Sequence, residues 1–353
     1  MPSFEHYVDT VETIGIDEAE LAGKIIDVMS KGAEAVREKE GRAYRSSHAK
    51  AHAIARGELS VAPGLPVDLA QGLFKQPKTY EVIVRLAHVP GELLDDRKVS
   101  TPRGMALKVL GVDGPMRSGS TQDWLLDTGE VFIASDAAVF LQQITMTEAS
   151  AAKPEVIHQA VSAISRLQNA ALNAVGLNSA NLDFYGHPKL DPLTEIYYSQ
   201  APIRYGDYIA KLRVRPVGEH ERKLDDIPDY DGLRTLVAAE MRGRATEWAV
   251  EIQLCTDLDR MPVEDAHANW SQEESPYREV ARLTLPAQDA WTPQSREDDE
   301  SLSFAPAHTL EAHRPLGSIM RARMAVYDIM AQRRAQANGV AITEPQARAQ
   351  VPA

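Results

Sequence analysis

The sequence predicts an α+β chain in which an antiparallel β-barrel or sandwich is decorated by helices. Short segments of alternating apolar and polar residues recur with turn residues between them, a pattern typical of antiparallel strands. Helical spacing of apolar residues is confined to a few segments around these strands. No Gly/Ser-rich linker or charge block divides the 353 residues. We therefore expect one principal domain.

Helical spacing first marks an N-terminal arm, from about Asp17 to Lys39. Leu21, Ile25 and Val28 belong to its apolar stripe, and Asp17 is a plausible N-cap. This pattern predicts a helical arm over residues 1–39, which packs on the body of the protein or on a neighbouring subunit. A main domain over residues 40–340 and a tail over residues 341–353 complete the expected organisation.

The strand pattern is clearest over Thr79–His88, where Val82, Val84 and Leu86 share one face and Arg85 lies on the other. Further strands are predicted at 58–61, 101–110, 195–214, 248–254 and 279–285. A strand region is also predicted at 124–133, with an interruption at Asp127-Thr-Gly129. Helical spacing returns at 153–175 and 233–242. Residues 287–313 lack apolar periodicity and are predicted to form a long wrapping loop.

Composition excludes several classes of function. Lys and Arg total 38 against 51 Asp and Glu, and the net charge of -13 argues against nucleic acid or an anionic membrane as partner. The single Cys255 excludes an internal disulfide framework and a multi-cysteine metal site. Residues 1–16 contain three acidic side chains and no long apolar run, so we expect no signal peptide, no membrane span and a cytoplasmic location.

A helical pattern without a breaker follows Gly317 and continues to Gly339. At about 100° per residue, one face of this helix carries a phenol between two guanidinium groups, with methionines on either side. The guanidinium groups and the phenol belong to Arg323, Tyr327 and Arg334, and the methionines are Met320 and Met330. A solvated face would not need methionines, and a plain core face would not accept arginines.

This helix face indicates anion stabilisation. Arg323, one turn before Tyr327, can hydrogen-bond the phenol oxygen and lower its pKa from about 10. A phenolate suits ferric iron, and tyrosine is one of the few axial ligands of haem. Arg334 could pair with a propionate carboxylate. The alternative is an amphipathic helix whose arginines form surface ion pairs.

Small side chains surround His48, so a flat group could approach its imidazole closely. These small residues are Ser46, Ser47, Ala49 and Ala51. His48 and His52 also have a spacing that can hold zinc on a helix. Gly57 and the strand-like residues after it argue against a long helix here, and a structural histidine is the ordinary alternative.

Seven motifs occur in one order between about residues 40 and 336. They are Arg45-x-x-His48-Ala-Lys50, Val84-Arg85-Leu-x-x-Val89-x-Gly91-Glu92, Pro102-Arg103-Gly104-x-Ala106-x-Lys108, Val131-Phe-Ile-x-x-Asp136-Ala137, Tyr198-Ser-Gln-Ala-Pro-Ile-Arg-Tyr-Gly-Asp207-x-x-x-Lys211, Asp257-x-x-x-Met261-Pro-Val-Glu-Asp265 and Arg323-x-x-x-Tyr327. Together they resemble the haem catalase family. The resemblance is greatest to short catalase-related proteins, the peroxidase or hydroperoxide-metabolising branch that lacks the family's C-terminal extension.

The resemblance implies a catalase-like eight-stranded antiparallel β-barrel with helical decoration, binding haem b and its iron. Tyr327 would be the proximal metal ligand, Arg323 its pKa-lowering partner, and His48 the distal acid–base residue. The resemblance also implies a homo-oligomer. The other implied cofactor contacts are three propionate anchors, Arg45, Arg85 and Arg334, then Phe140 packed on the porphyrin and Val89 lining the distal approach.

The implied reaction is peroxide cleavage through a ferryl intermediate, with His48 moving a proton from one peroxide oxygen to the other. Two positions depart from the family pattern. Asp127 stands where the family has an asparagine that donates to peroxide, and Ala87 stands where it has a serine beneath the distal histidine. Because an ionised aspartate only accepts hydrogen bonds, we expect weak or no true catalase turnover. A one-residue shift would place Thr128 there instead.

Three functions remain open at this point. A haem-dependent peroxidase would reduce peroxide with a small organic reductant. A fatty-acid hydroperoxide isomerase or lyase, like the allene oxide synthases, would use Asp127 as a second acid–base group or as an anchor for a substrate hydroxyl. A non-catalytic haem carrier or sensor would not need His48, which argues against that alternative.

Overall fold

The fold is built on strands between the N-terminal arm and a long C-terminal helix. A computed structural model describes residues 3–151, 187–218 and 220–345. In these ranges the strands are β1 (Ala51–Val61), β2 (Thr79–His88), β3 (Arg103–Val109), β4 (Met116–Ser118), β5 (Gln122–Thr128), β6 (Tyr197–Tyr198), β7 (Ile203–Tyr205), β8 (Tyr208–Pro216), β9 (Thr246–Leu254), β10 (Arg278–Leu285) and β11 (Thr309–Leu310).

Helices lie before, between and after the strands. Those of the described ranges are α1 (Glu18–Glu40), α2 (Ala137–Ala151), α3 (Gly232–Gly243), α4 (Pro293–Ser301) and α5 (Ser318–Asn338), with 3₁₀ turns at Gly72–Phe74 and Glu311–His313. Helix α5 ends where Gly339 adopts a left-handed conformation, φ 65°, which glycine tolerates without steric cost. Nowhere in the described ranges is a helix both long and apolar enough to span a bilayer.

Eight antiparallel strands close into a barrel. Their order is β6-β5-β3-β2-β1-β10-β9-β8, and β6 pairs with β8 to complete the ring, while β7 extends β8 as a ninth strand. The predicted eight-stranded antiparallel barrel with helical decoration is therefore confirmed. Closure satisfies the backbone hydrogen bonds that open sheet edges would expose.

Alternation along the strands separates the barrel interior from a functional outer face. Val82, Val84 and Leu86 of β2 belong to the largest buried apolar cluster. All eight strands of the barrel ring contribute side chains to this cluster, and β6 contributes Tyr197. Arg85 lies between them in sequence and therefore faces outward. The pairing register then places neighbouring strands' outward residues in rows.

Two such rows matter for the site. In the first row, Gly104 of β3 pairs with Ala87 of β2 on one side and with Asp127 of β5 on the other. In the second row, two residues away along the strands, Ala106 pairs with Arg85 and with Leu125 in the same way. Residues distant in sequence thus lie side by side on the outer face of β2, β3 and β5.

Helices α1, α2 and α5 share an apolar cluster beside this face, in which Ile25, Ile26, Ala137, Ala322 and Val326 are buried. The arm therefore packs on the body of the same chain. Arg321 of α5 reinforces the contact, because its guanidinium donates to the carboxylates of Glu12 and Glu18 in the arm and of Glu264.

Several local predictions differ from the structure. The loop predicted over residues 287–313 is wrong, because it contains α4, capped by Thr292 with Pro293 at the first helical position. The strand region predicted over 124–133 does not resume after its predicted interruption at Asp127-Thr-Gly129, because β5 ends at Thr128 and Gly129 turns the backbone with φ 96°. The helix predicted over 153–175 lies outside the described residues.

Candidate functional site

A cavity lies between the outer face of β2, β3 and β5 and helix α5, with about 740 Å³ of empty space. We call it the central cavity. Six predicted site residues line it: Arg45, His48, Arg85, Asp127, Tyr327 and Arg334.

The remaining three predicted residues lie outside the cavity wall. Arg323 is behind Tyr327, and Phe140 of α2 packs with its ring 5.3 Å from that of Phe132. Val89 contributes through its backbone, since its carbonyl oxygen accepts a hydrogen bond from the His48 N–H at 2.8 Å. Direct contact of Phe140 and Val89 with a cofactor stays a prediction.

The backbone holds His48 in an unusual conformation. Its φ is 57°, in the left-handed region that non-glycine residues rarely adopt. The hydrogen bond from its N–H to Val89 fixes one side, and its carbonyl oxygen accepts from Arg85 Nη2 at 2.8 Å. Such backbone strain persists only where the surrounding structure over-determines it, and it is frequent at functional sites.

Gly104 forms the floor beneath the His48 ring. A Cβ at this position would lie 2.5 Å from His48 Nδ1 and 3.0 Å from Asp127 Oδ1. Only glycine therefore leaves room for both side chains. The register that places Gly104 between Ala87 and Asp127 is what brings the imidazole and the carboxylate together.

His48 and Asp127 approach each other without a direct hydrogen bond. His48 Nε2 is 3.7 Å from Asp127 Oδ1, beyond ordinary hydrogen-bond distance. That buried oxygen has no hydrogen-bond partner among the described residues. Since buried acceptors are nearly always satisfied, it marks a place for a donor such as a water or a substrate hydroxyl.

Burial lowers the pKa of the His48 imidazole, against the opposing charge of Asp127, and the guanidinium of Arg85 lowers it further. His48 is therefore neutral at pH 7, because its ordinary pKa of about 6.5 is already below that value. A neutral imidazole can take a proton from a substrate in the cavity.

Tyr327 stands one helical turn from Arg323 on α5. Arg323 Nη2 donates to the phenol oxygen at 3.3 Å, and Nη1 contacts Met320 Sδ at 3.4 Å. Burial would lower the pKa of the Arg323 guanidinium, but the neighbouring Tyr327 and Asp127 raise it. The guanidinium thus keeps its positive charge beside the Tyr327 oxygen.

Three guanidinium groups gather around one carboxylate at the cavity edge. Arg45 Nη1 and Arg85 Nε each lie 2.8 Å from Asp299 Oδ1. Burial would raise the pKa of Asp299, but the charges of Arg85 and Arg45 hold it well below its usual range. Arg334 donates to the carbonyl oxygens of Glu300 and Leu302. Two positive charges are therefore left without a carboxylate in this cluster.

These residues fit a haem. The Tyr327 oxygen supplies an axial ligand of the type known for haem iron. The two uncompensated guanidinium charges match the two propionates of haem b. Apolar side chains complete the cavity wall, as a porphyrin requires: Met29, Leu125, Leu126, Phe304, Val326 and Met330.

The zinc alternative for His48 and His52 finds no supporting cluster. His48 lines the central cavity, whereas His52 is fully buried in β1. Within the described ranges, no three His, Cys, Asp or Glu side chains are grouped so that they could share a metal ion.

The sequence reasoning missed Asp299 and the contribution of the arm. Asp299 lies in helix α4. The pair Thr292-Pro293 could have indicated the start of this helix, because Thr is a frequent N-cap and Pro is favoured at the first helical position. Met29 of α1 lines the central cavity, so the arm forms part of the site. Helical spacing could not reveal which partner the arm's apolar stripe contacts.

Comparison with known proteins gives a likeness in fold. No family's sequence profile matches the chain, and no curated protein is similar to it in sequence. A fungal catalase of known structure superposes with a TM-score of 0.63 at 18% identity, covering 95% of this chain and 67% of that chain. Catalase A from Saccharomyces cerevisiae gives 0.61 at 17% identity, covering 95% and 69%. At these identities the likeness shows a shared fold and nothing finer.

Proposed function

We propose that this protein is a haem-dependent oxidoreductase that reduces peroxides with an organic reductant and has weak or no true catalase activity. One observation carries the proposal. The central cavity is lined by a tyrosine backed by a buried arginine, by a strained histidine beside a carboxylate, and by three arginines in excess of their acid partner. The likeness to two catalases supports the proposal at the level of fold.

Tyr327 would hold the iron, with Arg323 stabilising the negative charge on its oxygen. Arg45, Arg85 and Arg334 would hold the propionates. Bound haem supplies a redox-active iron at which the oxygen–oxygen bond of a peroxide is cleaved. The protein's part is to bind, orient and exclude water, since the ligand helix and the barrel face enclose the cavity.

His48 and Asp127 would handle the proton. The neutral His48 takes the proton from one peroxide oxygen and returns it to the other, which leaves as water or an alcohol. The unsatisfied Asp127 oxygen would accept a hydrogen bond from the other O–H of hydrogen peroxide, or from a hydroxyl elsewhere on an organic peroxide, and so orient the substrate.

The same carboxylate opposes catalase turnover. Catalase turnover oxidises a second hydrogen peroxide, and the resemblance places a hydrogen-bond donor at position 127 for this step. Asp127 cannot donate when ionised. Ala87, next to Gly104 in the outward row, provides no side-chain partner for the imidazole. An organic reductant avoids the need to hold a second peroxide.

A second candidate is isomerisation or cleavage of fatty-acid hydroperoxides. The unpaired Oδ1 of Asp127 beside His48 favours this alternative, because it can act as a second acid–base group or hold a substrate hydroxyl. This reaction needs no reductant, so product analysis separates it from peroxidase activity. A fatty-acid hydroperoxide consumed without reductant, with an epoxide or aldehyde as product, would establish it.

The test is peroxide consumption by the haem-loaded protein, with and without a phenol, while an electrode records oxygen release. We expect consumption that depends on the phenol and little oxygen. His48→Gln should slow consumption roughly a hundredfold or more, the usual effect of losing a general acid–base group. The matched control is His6→Gln, because His6 is exposed and outside the cavity.

Oxygen release at half the rate of hydrogen peroxide consumption, which is the stoichiometry of catalase turnover, would overturn the assignment as a peroxidase. Equal effects of His48→Gln and His6→Gln would remove His48 from the reaction. No consumption of any peroxide by the haem-loaded protein would leave the carrier or sensor alternative.

A further inference from the structure

A second pocket lies on the far side of the three guanidinium groups around Asp299, with about 800 Å³ of empty space. We call it the arginine pocket. It shares Arg45 and Arg334 with the central cavity, so the two spaces meet at the predicted propionate anchors. Six basic side chains line it: Arg42, Arg45, Lys50, Arg234, Arg296 and Arg334.

The acidic side chains of the arginine pocket are already engaged. Asp299 pairs with Arg45, as described, and Asp231 pairs with Lys50 at 3.1 Å and Arg234 at 2.9 Å. Glu300 pairs with Arg42. Two groups just outside the pocket wall share these pairs: Asp96 lies 2.9 Å from Lys50, and Arg85 pairs with Asp299. With them included, seven basic groups face four carboxylates, which leaves three positive charges in excess within a chain whose net charge is -13.

Two haem propionates would compensate two of these charges, and one would remain. Arg296 is exposed, as Arg42 is, but unlike Arg42 its guanidinium makes no hydrogen bond or ion pair with another described residue. The exposed side chains of Arg42 and Tyr230 lie in the same wall, so this side of the pocket opens to solvent. An external anion would therefore meet Arg296 first.

Aromatic rings make up much of the remaining wall, and each carries a cation. Lys50 Nζ lies 4.3 Å from the centre of the Tyr230 ring, and the Arg234 guanidinium lies 4.2 Å from that of Trp291. Arg42 lies 5.3 Å from the ring of Tyr44. Such surfaces of rings and guanidinium planes bind flat aromatic groups. A simple inorganic anion would not need them.

We propose that the arginine pocket binds the reducing substrate, and that this substrate is an aromatic carboxylate carrying a phenol. This inference rests on the proposed peroxidase function. The carboxylate pairs with Arg296, and the ring packs among Tyr44, Tyr230 and Trp291. The phenol then lies on the side of Arg45 and Arg334, which separate the pocket from the haem.

The electron balance needs no further reactant. One peroxide ROOH and two phenols ArOH give ROH, water and two phenoxyl radicals ArO•. Each phenol loses one electron and one proton, and the two protons end in the alcohol and the water. The radicals leave by the solvent-exposed side of the pocket.

The test compares two phenols that differ only in charge, 3-(4-hydroxyphenyl)propionate and its methyl ester. We expect the wild type to have a higher kcat/KM for the acid than for the ester. Arg296→Gln should reduce this acid-to-ester ratio roughly threefold to fivefold, the size of a partly exposed ion pair. The matched control is Arg117→Gln, because Arg117 is similarly exposed but lies on β4, outside the pocket.

A binding measurement without peroxide provides the second readout. Calorimetric titration of the haem-loaded protein with 3-phenylpropionate should show binding that Arg296→Gln weakens and Arg117→Gln leaves unchanged. Inorganic phosphate, titrated in the same way, should bind more weakly. Phosphate binding as tightly as 3-phenylpropionate would overturn the aromatic part of the proposal.

The outcomes separate this inference from the proposed function. If phenols are oxidised but Arg296→Gln leaves the acid-to-ester ratio of kcat/KM unchanged, the role of the arginine pocket is overturned and the peroxidase function is retained. Arg296-dependent binding of 3-phenylpropionate without oxidation of any phenol would keep the ligand class and overturn the peroxidase. Absence of binding, as expected if a second copy of the chain covers the pocket, would overturn the inference.

Discussion

Position 127 decides which reaction the cavity favours. Its side chain is half-buried, and its buried Oδ1 lies 3.7 Å from His48 Nε2 and has no hydrogen-bond donor among the described residues. An acceptor at this place orients a peroxide by its hydroxyl group. A donor would instead stabilise a second peroxide oxygen.

Asp127→Asn should therefore raise oxygen release from hydrogen peroxide, because the amide can donate a hydrogen bond. We expect a rise of roughly tenfold, the effect of about one additional hydrogen bond in a buried site. An oxygen electrode measures it. Asp113→Asn is the control, since Asp113 is exposed and pairs with Lys78 at the surface. An unchanged or lower rate would show that Asp127 does not limit catalase turnover.

At the residue scale, the sequence predicted pairs that depend on local geometry. Arg323 and Tyr327 are one helical turn apart, so their contact follows from helix periodicity alone. Asp299 contacts Arg45 and Arg85 across more than 200 positions, and no periodicity reports such a contact. It needed the fold.

At the scale of elements, the row Ala87, Gly104 and Asp127 positions the distal residues. Its members come from three strands, and pairing register alone brings them together. A one-residue slip of β3 would place a side chain under His48 and turn Gly104 to the barrel interior.

Gly104→Ala should disrupt the site through this floor. The added methyl group would lie 2.5 Å from His48 Nδ1, so the imidazole must move. We expect peroxide reduction to fall by roughly a hundredfold, the contribution of a positioned acid–base group, while the barrel still folds. Circular dichroism and stopped-flow kinetics measure the two effects.

Gly23→Ala is the matched control for this substitution. Gly23 is in α1, and a Cβ there would meet nothing within 4 Å. It should stabilise the protein by about 0.5–1 kcal/mol through helix propensity and leave peroxide reduction unchanged. Full activity in Gly104→Ala would contradict the role given to the floor.

Helix α4 shows why one element escaped the sequence analysis. Its residues are almost all polar, so it has no apolar stripe. The capping box and Pro293 were the only features of its sequence that indicated a helix. The apolar strands and α5 carried clear periodicity and were predicted. Polar helices that present charge to a site are the elements that hydrophobic patterns miss.

At the scale of the whole molecule, buried histidines link stability to pH. Burial lowers the pKa of His48, His52 and His88, and it lowers that of His313 to about 3. The unfolded chain binds protons at these sites near pH 6.5 and the folded chain does not. Stability is therefore present above about pH 6.5 and is lost as the pH falls towards the folded pKa values.

His52→Leu isolates one of these contributions. Both ring nitrogens of His52 are buried and lack hydrogen-bond partners in the described part of the chain, so leucine removes a titrating group without breaking a hydrogen bond. The free energy of unfolding should then fall less steeply between pH 6.5 and 5, by up to about 1.4 kcal/mol per pH unit. Denaturant unfolding at several pH values measures the slope.

The exposed His6 is the control for that measurement, and His6→Gln should leave the slope unchanged. A slope in His52→Leu equal to that of the wild type would mean that His52 takes up its proton in the folded state as well. His308 opposes the trend above about pH 6.5, because the Asp123 carboxylate, 3.6 Å from its Nδ1, raises its pKa.

Closure of the barrel was the property of the whole molecule that local patterns left open, since they were equally consistent with a sandwich. The closing strand β6 has only two residues, Tyr197–Tyr198, and pairs with both β5 and β8. The motif resemblance had implied the closed barrel. It did not give the register that assembles the outer face.

The central claim is that Tyr327 holds haem iron in the central cavity. The most direct measurement is the haem content and absorption spectrum of the protein purified from haem-replete cells, as wild type, Tyr327→Phe and Tyr80→Phe. Tyr80 is a buried tyrosine of the barrel and serves as the matched control. We predict haem with a ferric high-spin spectrum in the wild type and in Tyr80→Phe, and loss of most haem in Tyr327→Phe. Full haem and an unchanged spectrum in Tyr327→Phe would contradict the account.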